Sequence, residues 1–159
     1  MGKPAHISSQ QLIDFSGEHL YYEIKMLFGV RALLKKGVQD QYVYSALLES
    51  FIIHTNIILD FFYKPQTKPD DAKAAHYIRD LIGWKRDLPA YEGYFRKFNR
   101  RRSREVVHLS YKRLETKGNE KLWSIEKTTD HIKRLIVLFL DKADPALLHP
   151  KIYELKRAL

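Results

Sequence analysis

The sequence predicts an all-α protein, an up-and-down four-helix bundle with additional short helices. Three observations carry this. Apolar residues recur at helical spacing through most of the chain. Glycine and proline are sparse, 7 and 6 in 159 residues, and Gly37, Pro65, Gly118 and Pro145 fall at the ends of the periodic segments. No segment shows the strict alternation of a half-buried strand.

Ser16 is placed to cap the first helix, with Glu18 in its first turn. Leu20, Ile24, Leu27 and Leu34 follow at helical spacing. Lys35 and Lys36 suit the carboxyl end, and Gly37 suits the left-handed residue just past it. Asp40 caps the second helix, which runs to about Tyr63 before Pro65. Tyr42–Tyr63 is apolar around most of its circumference, and its length argues for a buried helix rather than a strand. At about 100° per residue, Glu49, Asn56 and Asp60 fall on one narrow stripe and His54 points away from them. This helix is expected to be the most buried.

A loop with Pro65 and Pro69 follows, and Asp70 and Asp71 open a short helix ending near Gly83. Asp87 caps the next helix, with Pro89 in its first turn. The chain is expected to break or kink near Asn99, then continue as a helix through His108 to about Glu115, ending at Gly118. The last long helix covers roughly Glu120 to Lys142. Its core face is Leu122, Ile125, Thr129, Ile132, Leu135, Ile136 and Phe139, and Pro145 stops it. A short amphipathic tail spans 150–159. The whole chain reads as one domain, 1–159, with the bundle core at about 18–142.

The composition is 45% hydrophobic and 13% aromatic, which separates it from disordered chains. The absence of cysteine excludes a disulfide scaffold, thiolate zinc and a cysteine nucleophile, and suits a reducing compartment. The amino terminus lacks an apolar signal-peptide core, and apolar runs such as Leu135 to Leu140 are too short to span a bilayer. A soluble, cytoplasmic protein with no membrane partner is the expectation. A formal charge of +9 favours polyanions, of which nucleic acid is the commonest.

The densest chemistry lies in Arg96-Lys97-Phe98-Asn99-Arg100-Arg101-Arg102-Ser103-Arg104-Glu105-Val106-Val107-His108. Guanidinium groups bind phosphate through paired, charge-assisted hydrogen bonds. A nearby imidazole moves protons near neutral pH. On a regular helix Arg101 and His108 lie on nearly the same side, Arg104 is close, and Arg102 sits about a third of a turn away. These are the parts of a metal-free phosphodiesterase site and equally those of a solvated basic helix with one histidine. In the first reading Arg102 or Arg101 holds the scissile phosphate and stabilises the transition state. His108 transfers the proton, Asn99 orients a phosphate, and Glu49 is the supporting carboxylate. Arg96, Lys97, Arg100, Arg104, Lys112 and Arg113 then contact the nucleic-acid backbone. Tyrosines such as Tyr21, Tyr22, Tyr91, Tyr94 and Tyr111 suit either base stacking or packing.

No metal site or cofactor is expected. Glu105 and His108 form one Glu-x-x-His pair, but a di-iron bundle needs two. Glu49 to His54 and Glu126 to His131 are spaced by five, about 140° apart on a helix. His6, His19, His76 and His149 are scattered. No Gly-rich phosphate loop, nucleophile elbow or dinucleotide fingerprint occurs.

The pairing of Ala46-Leu-Leu-Glu-Ser-Phe-Ile-Ile-His-Thr-Asn-Ile-Ile-Leu-Asp-Phe-Phe62 with Asn99-Arg-Arg-Arg-Ser-Arg-Glu-Val-Val-His-Leu-Ser-Tyr-Lys-Arg113 resembles small, uncharacterised bacterial all-helical proteins. More broadly it resembles the HEPN superfamily, four-helix bundles with an arginine, four to six residues, then histidine. Arg102 and His108, with Ser103 as the polar neighbour, fit this motif, and Arg101 fits it too. The resemblance implies metal-independent RNA cleavage in a toxin–antitoxin or phage-defence system. It also implies a homodimer that joins two motifs in one cleft, and an antitoxin or acidic protein partner. Superfamily members that have lost activity act in binding alone. The alternative is therefore a non-catalytic interaction module whose basic helix meets nucleic acid or an acidic protein.

Overall fold

The computed structural model describes residues 7–65, 68, 70–91, 93–109, 111–118 and 122–157. His6, Pro69 and Glu120, singled out above, lie outside them. The first element among the described residues is α1 (Ser9–Phe15), which passes through a π-helical turn, Ser16–Leu20, into α2 (Tyr21–Lys36). Ser8, not Ser16, caps this span. Its hydroxyl accepts from the Gln11 amide at 3.2 Å, and the Gln11 side chain accepts from the Ser8 amide at 2.9 Å, a reciprocal capping box. Ser16 is buried inside the helix. Its hydroxyl donates to the Ile13 carbonyl and accepts the His149 amide, each at 2.8 Å. The His149 ring lies where a side chain at Gly17 would begin, 2.5 Å from an ideal Cβ. Glycine there lets the carboxyl-terminal segment approach the π turn closely.

Gly37 takes φ 85° after α2, in the left-handed region that glycine tolerates. Asp40 then caps α3 (Gln41–Tyr63), its carboxylate accepting the Tyr42 and Val43 amides. α2 and α3 form an antiparallel hairpin whose interior holds Ile24, Leu27, Leu34, Phe51, Ile52, Ile58 and Leu59. The expectation that α3 is the most buried helix holds only for its second half. Residues 41–46 are all exposed. By length and composition α3 could cross a membrane, but half of its apolar window is buried within the protein.

After α3 a 3-10 turn (Ala74–Tyr77) leads to α4 (Leu81–Asp87), capped by Asp80. The single helix expected from Asp70 to Gly83 is thus two short pieces. Asp87 ends α4 instead of capping a helix; it pairs with Arg86 and with Lys142 at 2.8 Å each. α5 (Gly93–Arg102) runs unbroken through Asn99 into a second π-helical turn, Ser103–Val107. The expected break near Asn99 does not occur, because the Asn99 side chain donates to the Tyr91 hydroxyl instead of competing for its own backbone. The break falls at His108, which is extended at φ −119°, ψ 136°. Its amide closes the π turn on the Ser103 carbonyl at 3.0 Å.

A 3-10 turn (Tyr111–Glu115) precedes α6 (Ile125–Lys142). Leu122 is exposed and lies outside α6, so it is not part of the core face; Ile132, Leu135, Ile136 and Phe139 are. Thr129 is buried because its hydroxyl bonds back to the Ile125 carbonyl at 2.8 Å. α6 packs on α3, and Arg31 of α2 pairs with Glu126 of α6 at 2.5 Å. The tail forms a 3-10 helix, Pro150–Arg157, that docks on α2 and the first π turn through buried Ile152 and Leu155. The protein is all-α; among the described residues the only β feature is an isolated Ile78–Ala143 bridge. Phe61, Phe62, Tyr77 and Trp84 surround Phe139 edge-on, an aromatic knot where α3, α4 and α6 converge.

Candidate nucleic-acid interface

α5 is anchored from below by Phe95 and Phe98, both buried. Phe95 meets the ring of His131 on α6 at 4.2 Å, and Phe98 meets Trp123 edge-on at 4.8 Å. With those two positions fixed inward, helical spacing sends Lys97, Arg100 and Arg101 to one side of α5 and Asn99 and Arg102 to another. The first side is a cleft of about 810 Å³ between the α5 segment and Lys112, Glu115, Thr116, Leu122 and Trp123. Lys97, Arg100, Arg101, Arg104 and Lys112 line it with Phe98, Ser103, Glu115, Thr116, Leu122 and Trp123.

The five cations are not equivalent. Arg101 is only 14% exposed; its Nε meets Glu105 at 2.7 Å and its Nη1 donates to the Leu122 carbonyl at 2.8 Å. Its guanidinium also lies over the Trp123 ring, 3.9 Å from the centroid, a cation–π contact. The other Glu105 oxygen accepts the Thr116 hydroxyl at 2.7 Å. Arg104 reaches Glu115 at 3.1 Å. Lys97, Arg100 and Lys112 are exposed and have no carboxylate partner among the described residues. The cleft therefore presents three unneutralised cations, a fourth held by an exposed carboxylate, and a fifth built into its wall.

The second side of α5 carries Asn99 and Arg102. Asn99 donates to the Tyr91 hydroxyl at 2.5 Å. Tyr91 packs on Tyr63 at 4.8 Å, and the Tyr63 hydroxyl bonds the Pro89 carbonyl at 2.7 Å and His131 Nε2 at 2.8 Å. Burial, and then the Asp60 carboxylate, push the Tyr91 phenol above its ordinary value, against the Asn99 bond and the charges of Arg102 and Arg96. Arg102 Nε is buried here with no acceptor among the described residues. Asn99 and Arg102 thus share a half-buried polar cluster with Asp60 and do not line the cleft.

His108 is exposed and its ring does not line the cleft either. Its carbonyl accepts from Arg113 Nε at 3.2 Å, and the same nitrogen reaches the Arg104 carbonyl at 3.1 Å. Arg113 is therefore a backbone staple between the π turn and the 3-10 turn. Arg96 is exposed outside the cleft. Glu49 is exposed on α3 and does not line the cleft, while Asn56 donates to Asp60 at 3.5 Å and Asp60 pairs with Lys64 at 3.7 Å. The stripe read from the helical wheel is real on α3, but it divides into a solvent end and a packed end.

Trp123, Thr116 and Glu115 belong to the cleft and were not singled out from the sequence. Trp123 carried a signal, since it lies in a polar stretch close in sequence to the basic run, but its expected place inside a helix hid it. Among the described residues no group of three or more histidines and carboxylates converges on one point. The cleft is suited to holding several negative charges, with aromatic surface beside them. No protein-family model matches the chain, and no curated protein and no solved structure matches it.

Proposed function

We propose that the protein binds nucleic acid, RNA in particular, through the cleft on α5. The observation that carries this reading is the set of exposed cations Lys97, Arg100 and Lys112, without carboxylate partners among the described residues, around a concave surface that also contains Trp123 and Phe98. Phosphates neutralised there release condensed counterions, the main source of affinity for a polyanion. Of the two readings drawn from the sequence, the non-catalytic module is favoured over the HEPN-type endoribonuclease. An Arg–His nuclease needs its imidazole beside the phosphate its arginines hold. In one chain Arg101 is engaged by Glu105 and Trp123, Arg102 belongs to the Tyr91 cluster, and His108 stands outside the cleft.

The homodimer implied by the resemblance has a face available on α3. Tyr42, Ala46, Glu49, Ile53 and Ile57 form one exposed stripe, spaced by fours and a three as in a helix–helix seam. The proposed setting is the cytoplasm, with an acidic protein such as an antitoxin competing for the same cations. The test is binding of single-stranded RNA across a salt series. Lys97→Ala, Arg100→Ala and Lys112→Ala should each lower the slope of log affinity against log salt by about one unit. Unchanged slopes in all three variants would remove the cleft from the binding surface.

A further inference from the structure

The two tryptophans of this chain are in opposite circumstances. Trp84 is 3% exposed and packs among Phe62 and Phe139. Trp123 lines the basic cleft, outside any regular element. It is nevertheless held firmly. Arg101 covers the ring at 3.9 Å and bonds the carbonyl of the preceding residue, Leu122, while Phe98 abuts the indole edge-on. Glu105, itself fixed by Thr116, holds the Arg101 guanidinium in that position. A chain of four side chains thus fixes one indole in a cleft whose other main feature is unpaired positive charge.

Binding phosphate requires none of this, since the lysines and Arg100 suffice. An ordered indole beside a phosphate track is what a nucleobase needs for stacking, and stacking accepts any base because every base has a π face. A duplex keeps its base faces in its own stack, so only an unpaired strand can use such a platform. Resting on the reading of the cleft as a nucleic-acid site, we propose that it takes single-stranded nucleic acid by stacking one base on Trp123, with Lys97, Arg100 and Lys112 on the adjoining phosphates. Arg101 is then a positioning residue for the indole rather than a phosphate ligand.

The test compares three probes on the wild-type protein: a short single-stranded oligonucleotide, an abasic oligomer of the same length, and the oligonucleotide annealed to its complement. Because Trp84 is buried in the core, quenching of intrinsic fluorescence reports on Trp123. The single strand is expected to quench it and to bind about tenfold or more tighter than the abasic oligomer, the effect of one stacked base. Trp123→Ala should erase that advantage without changing the salt slope, and Trp123→Phe, with unchanged helicity and melting, should keep most of it. Equal affinity for base-bearing and abasic strands, or binding without quenching, would overturn the stacking proposal and leave the cleft as a phosphate site. Failure of all three probes to bind would overturn the cleft reading and the proposal together. An acidic peptide binding as tightly as the single strand would overturn the choice of nucleic acid. The wild-type comparison stands even where an alanine variant fails to fold.

Discussion

Arg101 and Glu105 meet at 2.7 Å on successive turns of the α5 segment, and this pair holds the Arg101 guanidinium in the wall of the cleft. Both partners are less than one-fifth exposed. Arg101→Ala leaves Glu105 with its Thr116 bond alone and strips one face of Trp123. The expected loss is about 1–3 kcal/mol, the range for removing a charged hydrogen-bonding partner from a partly buried site. Arg100→Ala, at an exposed position, should leave stability within about 0.5 kcal/mol and weaken RNA binding instead. Denaturant midpoints at constant m would check the first effect, and an RNA titration the second. Equal stability losses in the two variants would mean that the pair does not support the wall of the cleft.

Among the described residues Glu115 is the one carboxylate lining the cleft, and it pairs with Arg104 at 3.1 Å from an exposed position. An incoming phosphate must displace it. Glu115→Gln should therefore raise affinity for RNA by about two- to fivefold, the scale of an exposed ion pair, and the gain should shrink with added salt. Weaker binding in this variant would show that Glu115 orders the cleft rather than competes for it.

His76 supplies a pH dependence that does not involve the cleft. Burial, and then the charge of Lys73, lower its pKa from the ordinary 6.5. The folded protein therefore prefers the neutral ring, and the unfolded chain binds the extra proton first as pH falls. The stabilisation is fully present above about 6.5 and is lost as pH falls from there through the lower folded value. Unfolding free energy should rise with pH across that window, and His76→Gln should flatten the rise. Chemical denaturation at intervals between pH 5 and pH 7 gives the slope directly, and identical slopes in the two proteins would exclude His76 as its source.

The helical class was readable because its signals are local. Asp40 as a cap, Gly37 as a stop and the apolar run to Tyr63 each act within a few residues of themselves, and all three appear as expected. What local pattern could not supply was partnership across the fold. The wheel placed His54 away from Glu49, Asn56 and Asp60, but nothing in α3 names its partner. That partner is Glu23 of α2, at 2.6 Å, and it exists only because the hairpin closes. Ser16 has the local signature of a cap, a serine before an acidic turn. The His149 amide that uses its hydroxyl arrives from 133 residues away. The basic run is a cation cluster by composition alone, yet the division of its members between two sides of α5 depends on Phe95 and Phe98 being buried. The offset of His108 depended on a π turn, which adds most of a residue to the local repeat and defeats spacing counted on a regular helix.

That offset gives the prediction that separates binding from cleavage. His108 lies at the end of the π turn with an exposed ring, and its firm attachments are through its backbone, by the amide to Ser103 and the carbonyl to Arg113. A side chain so placed contributes little to the cleft, and His108→Ala should bind RNA within about twofold of wild type, the range of an exposed substitution of small effect. In the presence of a chelator, the wild-type protein and His108→Ala should leave single-stranded RNA equally intact, because among the described residues no imidazole lines the cleft. The comparison needs both arms, since a trace contaminating nuclease would cut equally in each preparation. Cutting by the wild type that disappears in His108→Ala would reverse the preference for a binding module. It would require that a second copy, docked on the α3 stripe or elsewhere, bring the imidazole to the phosphate. Sedimentation of the two proteins at the assay concentration would then show whether the active species is the dimer.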